Sequence, residues 1–78
     1  MNTIWMVRIT VAPYTDRNNI QKYWYRVVAD EQFTAAFLVL DEIRQEFKQY
    51  RLKHLEVTVD HQPLTLPYGI MDRGEGGE

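Results

Sequence analysis

Few side chains in this chain of 78 residues are able to do covalent chemistry, and their spacing limits what they could do together. The sequence holds no Ser and no Cys, so Thr alone remains among the common hydroxyl and thiol nucleophiles, and no Cys-based zinc site or disulfide framework can form. The two histidines, His54 and His61, flank one extended segment. Seven residues of strand separate them by roughly 20 Å, too far for one metal ion. Asp60 beside His61 reads as a turn pair. Glu42 and Glu46 stand one helical turn apart on a polar face, where carboxylates are ordinarily solvated. No Gly-rich phosphate loop joins a strand to a helix. These features predict a chain that is not an enzyme, with no metal, no cofactor and no small-molecule substrate.

The residues whose types suit binding are Met6, Arg8, Lys22, Trp24 and Arg26. Trp, Met and Arg are enriched where proteins touch each other. What places these five together is period. Residues Ile4 to Ala12 alternate, with Trp5, Val7, Ile9 and Val11 on one side and Ile4, Met6, Arg8 and Thr10 on the other. Gln21 to Ala29 alternate likewise, with Tyr23, Tyr25, Val27 and Ala29 opposed to Lys22, Trp24, Arg26 and Val28. Pro13 to Asn19, rich in Pro, Asp and Asn, is a loop. A hairpin that keeps its faces consistent pairs Thr10 with Lys22, Arg8 with Trp24, Met6 with Arg26 and Ile4 with Val28.

The period then changes to 3.6. Phe33, Ala36, Phe37, Leu40, Ile43, Phe47 and Tyr50 form one stripe, expected to be core, behind an Asp30 cap and an acidic Glu31. Lys48, Arg51, Lys53 and His54 close the helix with positive charge. A third strand is predicted over Leu55 to Val59, with Leu64 to Leu66 as a short edge strand between Pro63 and Pro67. Residues 72–78, Gly-rich and charged, are expected to be a disordered tail behind a single domain over 1–71.

The expected fold is α+β: a two-layer sandwich in the order β-β-α-β(-β). An antiparallel sheet of three or four strands carries one helix on one face, and the element order is like that of a β-grasp. The other face is left bare, with Ile4, Met6, Trp24 and Val28 as an apolar patch and Arg8 able to stack on the Trp24 indole. The plainest reading is a solvated face, with Arg8 and Arg26 paired to Glu56 and Asp60. The functional reading is a docking or dimerisation face of an adaptor or inhibitor type, whose partner is another protein or a second copy of the chain. The alternative on the same face is a single-stranded nucleic acid, although a net charge of −2 and one stacking ring are poor provision for it.

The C-terminus carries a further possibility. Gly76, Gly77 and Glu78 follow a β-grasp-like body, and such an end resembles the ubiquitin-like modifiers; the final Gly-Gly-Glu is also similar to that of the prokaryotic ubiquitin-like protein. The resemblance implies a thin tail that threads into a ligase. Elsewhere composition is that of an ordinary globular domain, 45% hydrophobic and 26% charged. No apolar run approaches a membrane span, and no basic-then-apolar leader follows Met1. The chain is therefore expected to be a complete small cytoplasmic product.

Overall fold

The computed structural model describes residues 2–16, 18–61 and 66–76. Its elements run β1 (Thr3–Pro13), β2 (Gln21–Ala29), α1 (Gln32–Glu46), β3 (Tyr50–His61) and β4 (Gly69–Glu75). The strands form one sheet in the order β3-β1-β2-β4, and every pairing is antiparallel. One helix covers one face. This is the two-layer α+β sandwich that the change of period predicts.

The β1–β2 register is the one derived from alternation: Thr10 faces Lys22, Arg8 faces Trp24, Met6 faces Arg26 and Ile4 faces Val28. A slip of one residue would turn Val7, Ile9, Tyr25 and Val27 out of the core, which is why parity determines pairing here. Those four side chains pack with Ala35, Val39 and Ile43 of α1 in one buried cluster.

The helix differs from expectation in extent and in orientation. It begins at Gln32 after a Glu31 cap that makes no side-chain hydrogen bond, and it ends at Glu46, so Tyr50 belongs to β3. Its sheet-facing residues are Ala35, Val39 and Ile43, not Phe33 and Phe37, which are 74% and 75% exposed. The small Ala35 and the β-branched Val39 and Ile43 let the helix lie close to the sheet, which a row of phenyl rings would hold away.

The fourth strand also lies elsewhere than expected. Residues 62–65 of the anticipated edge strand are outside the described residues, and Leu66 belongs to no strand. Instead Gly69–Glu75, most of it assigned from sequence to a disordered tail, pairs with β2 from Val28 to Tyr23. Gly76 extends the contact by donating its N–H to the Lys22 carbonyl at 2.8 Å. Gly77 and Glu78 lie outside the described residues. What holds β4 is cross-strand chemistry with distant partners, and composition does not reveal it.

Candidate functional site

The five residues singled out from sequence do share the face away from the helix, since each lies in register on the parity opposite to the core. Their environments differ from expectation. Arg26 Nε donates to Asp72 Oδ1 at 3.1 Å and Nη2 donates to Oδ2 at 2.7 Å, a two-pronged bond across β2 and β4. That bond holds the Asp72 carboxyl below its ordinary range. The plain sequence reading gave Arg26 to Asp60; Asp72 takes it because it sits directly opposite in the ladder.

Arg8 turns away from Trp24. Its Nη1 lies 3.6 Å from Glu56 Oε2, and His54 Nε2 lies 3.5 Å from the other oxygen of the same carboxylate. Arg8 and Trp24 are opposite in the ladder, but no stacking joins them among the described residues. The indole lies over Gly74 instead, so closely that a β-carbon there would overlap the ring. Met6 and Trp24 are half-buried and Lys22 is exposed. Ile4 and Val28, expected in an open apolar patch, are 2% and 1% exposed. The bare face is therefore mainly a set of cross-strand pairs. It carries a shallow depression of about 380 Å³, lined by Arg8, Thr10, Lys22, His54 and Glu56 among others.

Part of the exposed apolar surface lies on the helix side: Phe33, Phe37, Leu52 and Val59. A helix is about 10 Å wide and strands are about 4.8 Å apart, so one helix shields about two strands of four. On the β4 flank Arg73 closes the gap. Its guanidinium stands 5.2 Å and 5.3 Å from the centres of the Tyr23 and Tyr25 rings. It donates to Glu46 at 3.1 Å and lies 4.0 Å from Glu42. Burial pushes the Tyr25 hydroxyl pKa up, and that hydroxyl has no hydrogen-bond partner among the described residues.

Among the described residues the β3 flank has no such closure. Leu52, Leu55, Val57 and Val59 stand opposite Val11, Ile9, Val7 and Trp5, so they point to the helix side. Val7, Ile9 and Val11 are fully buried, whereas one strand further out Leu55 and Val57 are half-buried. Leu52 and Val59 are 46% and 58% exposed. The helix adds to this strip. Since Glu42 and Glu46 reach Arg73 on β4, the flank carrying Ala36, Leu40 and Phe33, about 100° per residue around the axis, leans toward β3. Phe37 follows on its solvent side.

The strip along α1 and β3 thus runs from Phe33 and half-buried Leu40 to Val59, Val57 and Leu52, with Phe37 above it on the outer side of the helix. Sequence reasoning missed it because Phe33 and Phe37 fit a core stripe. The signal present was a second apolar set, Ala35, Val39 and Ile43, offset around the same helix. Among the described residues no three His, Cys, Asp or Glu side chains converge as metal ligands, and no helix is long and apolar enough to cross a membrane. Comparisons with protein-family models, with curated proteins and with solved structures found no match.

Proposed function

We propose that this chain is a non-enzymatic protein-interaction domain, and that its principal docking surface is the apolar strip between α1 and the β3 edge. One observation carries the reading: two phenyl rings one helical turn apart, each about three-quarters exposed, on the side of α1 turned away from its buried row, beside an incompletely covered edge strand. Solvent-facing Phe pairs cost solubility and add nothing to this core. Contiguous apolar area of a few hundred Å² is characteristic of sites that another macromolecule covers. Among the described residues the β3 edge adds a row of backbone groups with no strand beyond it.

The bare sheet face is the second reading, for a protein or a single-stranded nucleic acid. The depression lined by Arg8, Lys22 and His54 favours it. Against it, Arg8 shares Glu56 with His54 and Arg26 is committed to Asp72. A modifier role would use Gly76 to Glu78, the residues that follow β4 in the chain. Phe37→Glu and Trp24→Ala separate the surfaces. Binding of a protein partner lost with Phe37→Glu and kept with Trp24→Ala supports the strip. The opposite pattern transfers the site to the sheet face.

A further inference from the structure

We infer that the occupant of the strip is a second copy of this chain, with the two α1 helices side by side and antiparallel about a two-fold axis. The inference rests on the strip being a docking surface and adds what docks there. Three observations point the same way.

The first is space. α1 is packed over Val7, Ile9, Tyr25 and Val27 of the two central strands, so a helix set beside it lies over the outer side of β3 and just past its edge. Two strand spacings are about 10 Å, close to the ~8–10 Å separation of packed helices. The second is area. Two Phe rings about three-quarters exposed, at roughly 150–250 Å² each, together with half-exposed Leu52 and Val59, leave on the order of 400 Å² of apolar side chain open. A standard interface buries about 800 Å² per partner, roughly six-tenths of it apolar, so one such surface on each copy supplies most of the apolar area a dimer needs.

The third is charge. Asp30 and Glu31 stand at the start of α1, and Arg44 and Lys48 stand at and just beyond its end. Among the described residues none of these four is in an ion pair. A parallel arrangement of two copies would set like charges and like helix ends together. An antiparallel one sets each acidic start against the other copy's basic end and opposes the dipoles. With the axis passing between Phe37 and Leu40, Phe37 of each copy meets Leu40 of the other, and Phe33 lies along the aliphatic stem of the other copy's Arg44. Such an interface is self-complementary, as a closed two-fold dimer requires.

Sedimentation equilibrium over a micromolar to millimolar series tests this. The wild-type mass is expected to rise from 9.3 kDa toward twice that value. Phe37→Glu should weaken the association at least tenfold, with its circular dichroism unchanged. If that variant does not fold, Phe33→Gln makes the same test. Arg44→Glu and Glu31→Lys should each weaken it, and the double variant should recover it, as only an antiparallel pairing predicts. A wild-type chain that stays at 9.3 kDa throughout overturns the self-pairing, as does a dimer that survives Phe37→Glu and is broken by Trp24→Ala. The docking reading itself stands or falls separately, on whether a different protein's binding is lost with Phe37→Glu.

Discussion

The indole of Trp24 lies over Gly74, its direct partner across β2 and β4. Glycine alone leaves room for the ring, and the ring in turn shields a residue that would otherwise weaken the strand. Gly74→Ala should push the indole outward. The expected loss is about 1–3 kcal/mol in chemical denaturation, with a red shift of Trp emission. An unchanged stability and spectrum would show that the indole does not rest there.

Arg73 joins β4 to α1 through Glu46, Glu42 and the faces of two Tyr rings. Its carboxylate partners are substantially exposed, so the ion pairs alone contribute little and the contact over the rings contributes more. Arg73→Ala is expected to cost about 1–2 kcal/mol. Glu46→Gln should cost less than half of that. Amide exchange in β4 should accelerate in Arg73→Ala before exchange in β1 does. Equal acceleration across the sheet would mean that Arg73 does not act as a local clamp.

The Tyr25 hydroxyl is buried without a partner among the described residues, and burial raises its pKa. A donor left unpaired costs about 1–3 kcal/mol, so Tyr25→Phe is expected to raise the melting temperature. Its ring keeps the stacking surface beneath Arg73. A clear fall in melting temperature would reveal a hydrogen bond to that oxygen.

Asp72 has its pKa lowered, first by the hydrogen bonds from Arg26 and then by the charge of the same group. A depressed carboxyl contributes stability that is present above its unfolded value, near 3.8, and is lost as pH falls through the lower folded value. Asp72→Asn should therefore flatten the acid limb of the stability profile below about pH 4 and leave the profile between pH 6 and 8 parallel to that of the wild type. An acid limb of unchanged steepness would show that Asp72 plays no part in it.

The two faces of α1 make a paired comparison. Ile43 is fully buried, so Ile43→Ala is expected to cost about 2–5 kcal/mol. Phe37 is three-quarters exposed, so at concentrations where the chain is monomeric Phe37→Ala should fall within about 0.5 kcal/mol of wild type. Reversed costs, measured by urea unfolding, would mean that the helix is rotated relative to the sheet.

Much of the fold was legible before any coordinates. Strand alternation has a period of two, so choosing the inward face of Val7 and Ile9 simultaneously chose that of Arg8 and Met6, and the hairpin register followed. For the same reason Met6, Arg8, Lys22, Trp24 and Arg26 could be placed on one face. The helix was legible as a helix. Its orientation was not, because Phe33 with Phe37 and Ala35 with Val39 and Ile43 are both apolar rows on one 3.6-residue spiral, and only packing against the sheet chooses between them. That choice decided where the candidate site lies. It withdrew two Phe residues from the core and left them exposed on the outer side of α1.

Local sequence determined the two-layer plan, the antiparallel hairpin and the inward rows of β1 and β2. Tertiary structure decided β4. Gly-Ile-Met-Asp-Arg-Gly-Glu carries little strand propensity, and its order comes from Arg26 and Trp24, residues some 46–50 positions earlier in the chain, and from the glutamates of α1. Propensity acts over neighbours, whereas an ion pair or an indole over a glycine exists only once the sheet has brought its partners together.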